Sequence, residues 1–196
     1  ALCGTYTIGG ASASFATFSD AVTALNNAGV TCPVVFRVRD GLYDEQIRIY
    51  DVKGSSLVNT VTFESESGDS SKVQLLYQSA NSTSDFVLSF NGSGHIRFNG
   101  IGIRRVNGYG SVHVLEGAHH VGISDSWLTG NVYISTHGSD TVISLRNNNI
   151  QGNNIYINRF GGDILNGVYV EGNFFNSLSI SCCDCHHITF EGSRIC

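Results

Sequence analysis

Five segments of this chain repeat one pattern, and the repeat limits the fold more than any other feature. They read IRFNGIGI from Ile96, VGISDSWL from Val121, ISLRNNNI from Ile143, VYVEGNFF from Val168 and ITFEGSRI from Ile188. Apolar residues recur at offsets 0, 2 and 7, giving Ile96/Phe98/Ile103, Val121/Ile123/Leu128, Ile143/Leu145/Ile150, Val168/Val170/Phe175 and Ile188/Phe190/Ile195. Gly100, Asp125, Asn147, Gly172 and Gly192 line up at the small or polar positions between them. Successive starts are 25, 22, 25 and 20 residues apart.

A second series lies between these segments: Val112/Val114, Val132/Ile134, Ile155/Ile157 and Leu178/Ile180, each pair split by one residue. Phe36/Val38, Ile47/Ile49, Val61/Phe63 and Phe86/Leu88 read as degenerate upstream members. Alternation with period two marks a strand with one buried face. Two such strands per repeat, joined by Gly and Asn turns, describe a coil that winds once per repeat. Leucine-rich repeats share the period but not the leucine and asparagine signature, and hairpin-based sandwiches do not keep one strand motif in phase for five rounds. A parallel β-helix does, because each rung buries its inner face only against its neighbours. The chain therefore reads as an all-β solenoid and a single domain, with an N-terminal arm and cap over residues 1–35 and rungs over residues 36–196.

Within that arm, FATFSDAVTALNNAGV from Phe15 is the one convincing helix. Phe18, Val22 and Leu25 share a face, Thr17 or Ser19 can serve as N-cap, and Gly29 follows as a stop. Such a helix would cover the open end of the coil, where core and strand edges are otherwise bare.

Composition narrows the function. The net charge of −5 with only 14% charged residues argues against a nucleic-acid partner. Nothing approaches the apolar run of a membrane span. The chain has no methionine, even at position 1, which reads as a processed start after removal of a signal peptide. Six cysteines then point to an oxidising, extracellular setting.

The stretch GTYTIGG, FATFSDAVTALNNAGV, PVVFRVRDGLYDEQIRI and NTVTFESESGD resembles a β-helix module of large secreted bacterial surface proteins, often ones carrying a type IX secretion sorting tail. The resemblance covers roughly residues 4–77. It implies a right-handed parallel β-helix outside the cell and carries no catalytic residues. The chain departs from the pattern in placing Cys3 and Cys32 around the helix and in ending at Cys196 without a sorting tail.

Pectate lyases and polygalacturonases share the architecture, and an enzyme of that kind needs clustered carboxylates in one groove. Asp125, Asp140, Asp163 and Asp184 are spread one per rung rather than clustered, and Arg104-Arg105 is an isolated cationic pair expected to face solvent. No catalytic residue is expected, and no metal or cofactor. His95, His120 and His187 recur one position before the strand, with His119 and His186 beside two of them. They read as polar surface turns, with a metal or pH-responsive ladder as the sharper alternative. Tyr133 and Tyr156 should stack outward on adjacent rungs, as a glycan platform or as ordinary sheet stabilisation.

The run Cys182-Cys183-Asp184-Cys185-His186-His187 lacks the spacing of structural zinc sites, so disulfides fit it better than metal. Cys3 and Cys32 are expected to tie the arm to the first rung; Cys182, Cys183, Cys185 and Cys196 are expected to form two more bridges, in any of three pairings. Cysteines at both ends and a repeat running to Ile195 suggest a non-enzymatic extracellular subunit stacking with itself into a fibre or layer. The alternative is a carbohydrate-directed β-helix, either a glycan binder or a polysaccharide lyase or hydrolase.

Overall fold

The computed structural model describes residues 1–78, 86–107, 110–135, 142–151, 154–158, 167–175, 180–183 and 188–195, with the side chains of 158, 180–183, 188 and 195 excepted. The chain is a right-handed parallel β-helix of three sheets. The first contains β1 (Leu2–Ile8), β2 (Val30–Val38), β5 (Val61–Ser65), β8 (Ile96–Asn99), β11 (Val121–Ser124), β14 (Val142–Arg146), β17 (Gly167–Glu171) and β20 (Ile188–Glu191). The second contains β4 (Ile47–Ile49), β7 (Leu88–Asn91), β10 (Gly110–Leu115), β13 (Asn131–Ser135), β16 (Ile155–Asn158) and β19 (Ile180–Cys183). The third contains β3 (Gly41–Asp44), β6 (Val73–Gln78), β9 (Gly102–Asn107), β12 (Trp127–Thr129), β15 (Asn149–Gln151), β18 (Phe174–Phe175) and β21 (Arg194–Ile195).

Each full turn thus has three strands where the repeat suggested two. The third is the offset-7 residue of the first motif: Ile103, Leu128, Ile150 and Phe175 follow one another in register along the third sheet. It is set off from the first strand by a corner at offset 4, where Gly100, Asp125, Asn147, Gly172 and Gly192 all have φ between 51° and 64°. That left-handed conformation admits Gly, Asn and Asp most readily, which explains their alignment.

The first-series column is as expected. Ile96, Val121, Ile143, Val168 and Ile188 are successive register partners of the first sheet, and the first four are buried. The second series needs correction by two residues. Ile180 stands opposite Ile155, not Ile157, and Ile49 stands opposite Phe90, not Leu88. Phe36 and Phe63 pair with each other in the first sheet, with Val34 opposite Val61. A two-residue slip leaves every side chain on the same face, so apolar alternation alone does not reveal it.

The helix α1 (Phe18–Ala28) closes the N-terminal end. Thr17 Oγ1 accepts from the Asp20 amide at 3.0 Å, and Gly29 ends the helix with φ 64°. The Glu45 carboxylate accepts the amides of Phe18 (3.1 Å) and Ser19 (2.7 Å), placing negative charge at the positive helix end. Phe18 is fully buried, edge-on to Tyr43 at 5.1 Å and stacked on Phe63 at 6.0 Å. The Cys3–Cys32 disulfide, spanning 29 positions, joins β1 to β2, as the sequence led us to expect. Closing a loop of that size removes roughly 3–4 kcal/mol of unfolded-chain entropy.

Inside the coil, Phe36, Phe63 and Phe98 stack at 4.6 and 4.7 Å. Farther along, Ile123, Leu145 and Val170 continue the same column. There a buried polar ladder runs beside it. Asn148 Oδ1 accepts from the Ser126 amide (3.0 Å) and its Nδ2 donates to Ile123 O (2.9 Å). Asn173 repeats both bonds one rung on, to the Asn148 amide (2.9 Å) and Leu145 O (2.8 Å).

Candidate functional site

The outward side chains of the first sheet fall in two rows. One runs Thr62, Arg97, Gly122, Ser144, Tyr169 and Thr189; the other Glu64, Asn99, Ser124, Arg146, Glu171 and Glu191. Gly122 has no side chain, so the first row is interrupted between Arg97 and Ser144. The result is a groove of about 380 Å³ lined by Arg97, His120, Gly122, Ser124, Ser144 and Arg146, among others. A Cβ at Gly122 would meet Ser144 O at 3.6 Å and Ser144 Cβ at 3.7 Å, ordinary contact distances. The gap is therefore a vacancy in the row and not a steric requirement of the backbone.

Charge in the groove is positive. Arg146 is bound at 2.9 Å by Glu171, and Ser124 Oγ meets Asn99 Oδ1 at 3.4 Å. Arg97 is exposed, and no ion pair or hydrogen bond to its guanidinium is seen among the described residues. No carboxylate is among the described lining residues. A guanidinium presents forked donors suited to a carboxylate, and the two serine hydroxyls can donate or accept.

At one end of the groove lies a histidine cluster, at the corner between the second and first sheets. His95 sits in the turn between β7 and β8, and His119 and His120 in the turn between β10 and β11. The two turns are joined by His95 N donating to His119 O (3.3 Å) and His119 N donating to Ser93 O (3.1 Å). The rings of His95 and His120 stack at 4.8 Å, and His119 stands nearly perpendicular to both, at 5.3 and 5.6 Å.

Other sequence candidates are placed elsewhere. Tyr133 and Tyr156 stack at 4.8 Å and 7°, on the outer face of the second sheet, and each phenol oxygen accepts from a neighbouring asparagine. His113 stands nearly perpendicular to Tyr133 at 5.1 Å. Arg104 and Arg105 lie in β9 and do not project as a free cationic spot. The Arg104 guanidinium covers Trp127 at 4.9 Å, while Arg105 is buried against Tyr77, to whose carbonyl it donates (3.4 Å). Asp125 occupies an exposed corner. Asp140, Asp163, Asp184, Cys185, His186, His187 and Cys196 lie outside the described residues, as do the side chains of Cys182 and Cys183.

The groove was missed in the sequence. Its residues occupy offsets 1 and 3 of the first motif, where no periodic apolar signal exists. The one available clue was Gly122, a glycine in mid-strand where its neighbours carry side chains.

No protein-family profile matches this chain, and neither does any curated protein. Solved structures do share its fold. The pectin methylesterase from Aspergillus niger, in a partly deglycosylated form, aligns over 100% of this chain and 86% of its own, with TM-score 0.54 and 14% identity. A pectin methylesterase in complex with a hexasaccharide aligns over 91% of this chain and 67% of its own, with TM-score 0.51 and 10% identity. At these identities the likeness establishes the fold. The expectation of a non-enzymatic chain is corrected to this extent: both of these structures that share its fold are enzymes, pectin methylesterases. No helix among the described residues is long and apolar enough to cross a membrane.

Proposed function

We propose that this protein is an extracellular, carbohydrate-directed β-helix whose site is the groove over Gly122 and whose substrate class is acidic polysaccharide. The carrying observation is the vacancy at Gly122, flanked by Arg97 and Arg146, on a sheet that is otherwise lined outward by side chains. An extended glycan lies naturally along such a face. Uronate carboxylates would meet the two guanidinium groups, and sugar hydroxyls would meet Ser124 and Ser144. The neighbours' activity on pectin supports the same substrate class.

The test uses polygalacturonate, its methyl ester and an uncharged glucan, following binding by calorimetry and products as methanol, reducing ends and unsaturated ends. Polygalacturonate or its ester should bind, more weakly as salt rises. Arg97→Gln should weaken binding at least about tenfold, the scale of one lost charge-assisted hydrogen bond. Gly122→Thr should abolish binding by filling the gap while leaving the melting temperature unchanged, since its Cβ fits. Equal binding by wild type and both variants, or none to any acidic glycan, would overturn the proposal.

A further inference from the structure

The three histidines at the end of the groove carry an inference of their own, independent of the glycan reading. One nitrogen from each of His95, His119 and His120 lies within 4.8 Å of the others, and no other His, Cys, Asp or Glu joins the group among the described residues. We propose that these three imidazoles form a binding site for a divalent transition-metal ion of the zinc class.

Three features of the corner support a built site over a chance meeting of polar turns. First, His95 and His120 have φ of 60° and 50°. Both residues adopt the same left-handed backbone at the same offset of two successive rungs, so their rings are presented from equivalent corners. Second, His119 Nδ1 lies 3.2 Å from Gly117 O. A carbonyl only accepts, so Nδ1 carries a proton, and in the neutral ring the lone pair is then on Nε2. A backbone carbonyl fixing the tautomer and orientation of an imidazole is the usual support behind a metal-ligating histidine. Third, the ring of His119 lies directly over Gly94, where any Cβ would collide with it. Gly94 leaves the space in which His119 folds back to face His95.

The chemistry of the donors selects the ion. Three neutral imidazoles without a carboxylate suit zinc, copper or nickel and not calcium or magnesium, which take oxygen ligands. At a zinc–nitrogen distance of about 2.0–2.1 Å, donors in a tetrahedral site stand about 3.3 Å apart. Binding would therefore draw the rings together by roughly 1.5 Å from the present limit, turning the His95–His120 stack into a converging pair. Three protein ligands leave the fourth tetrahedral position open, the arrangement of metal sites that bind a further molecule. His120 also lines the groove, so the cluster adjoins it.

The experiment uses the full chain and Zn²⁺ in competition with a chromophoric chelator, with Co²⁺ as a spectroscopic stand-in. Because Cys182, Cys183 and Cys185 could bind either ion, the variants isolate the cluster. His119→Ala removes one ligand; His95→Asn with His120→Asn removes two with a residue type that tolerates positive φ. Wild type should bind one equivalent of Zn²⁺ that each variant binds at least about a hundredfold more weakly, the upper range for loss of even an outer-sphere partner. The Co²⁺ form should show no thiolate charge-transfer band for that equivalent, and Zn²⁺ should raise the melting temperature of wild type alone. Equal binding by wild type and variants, binding only with a thiolate signature, or no binding would overturn the site. None of these readouts involves a glycan, so they leave the groove proposal to stand or fall separately.

Discussion

The rungs of residues 30–98 and those of residues 121–195 make the same helix from different materials. In the first, Phe18, Phe36, Phe63 and Phe98 form one ring stack, capped by a helix and tied by the Cys3–Cys32 bridge. In the second, the same column holds Ile123, Leu145 and Val170, and the polar ladder of Ser126, Asn148, Asn173 and Ser193 appears at the corner. Where one filling gives way to the other, an apolar void of about 10 Å³ lies beside Phe90, Val114 and Ile123. The difference has a physical reading. Flat rings stacked at the rung spacing align each turn over the last by contact alone. Branched aliphatic chains fill volume without a preferred offset, so directional hydrogen bonds must set the offset instead. Both halves carry a similar surface ion pair, Arg37–Glu64 at 3.3 Å and Arg146–Glu171 at 2.9 Å, and exposed pairs of this kind decide little.

The largest expected effect breaks the comparison at its centre. Phe63 and Leu145 occupy the same interior column, yet Phe63 lies between two stacked rings and under Phe18. Phe63→Ala should cost about 3–5 kcal/mol and Leu145→Ala about 2–3 kcal/mol, from lost burial and the cavity left behind. Urea titrations with unchanged slope would measure both. A Leu145→Ala cost equal to or above that of Phe63→Ala would show that the ring stack is not what holds the first half.

The ladder in the second half can be tested with a smaller change. Asn173 is 1% exposed and satisfies two buried backbone groups, the Asn148 amide and Leu145 O. Asn173→Ala should leave both without partners and cost about 2 kcal/mol. Serine holds the ladder ends: Ser126 accepts from the Ile101 amide (3.1 Å) and donates to Ser124 O (2.8 Å). Asn173→Ser should therefore recover about half of the loss. Amide exchange at Asn148 is the site-specific readout, and unchanged protection there in the alanine variant would remove the ladder from the account.

Much of this contrast was legible in the sequence, and the illegible parts share a cause. Core columns, cap helix and N-terminal bridge could be read because burial forces a period and a helix needs its ends. The alignment at offset 4 was visible, but its meaning, a left-handed corner that opens a third strand, was not. Strand register slipped by two because Leu178/Ile180 and Phe86/Leu88 are as apolar as the pairs that replace them. The groove escaped notice because outward residues such as Arg97 and Ser144 obey no pattern that burial imposes. His95 and His120 did recur in phase. That His119 turns back to complete a trio depends on Gly94 in the adjacent turn, a contact between rungs 25 residues apart that one-dimensional spacing does not encode.

The smallest effect sharpens the comparison through pH, because the first half also buries an ionisable ring. Tyr43 packs edge-on beneath Phe18, and its hydroxyl donates to Arg39 O at 2.8 Å. Burial first, and then the nearby Glu45 carboxylate, hold its pKa above the ordinary tyrosine value. The unfolded chain therefore loses this proton at a lower pH than the folded one. The associated stability is fully present below the unfolded value of about 10 and declines as pH rises from there through the folded value. Tyr43→Phe removes the ionisation along with the hydrogen bond. It should cost about 1 kcal/mol at neutral pH, yet its stability should fall less steeply than that of wild type above about pH 10, so the two curves converge. Denaturant midpoints measured across that range give the slopes directly. Parallel curves for the two proteins would mean that Tyr43 ionises as freely in the fold as outside it, and that the capped end is open to water at this ring.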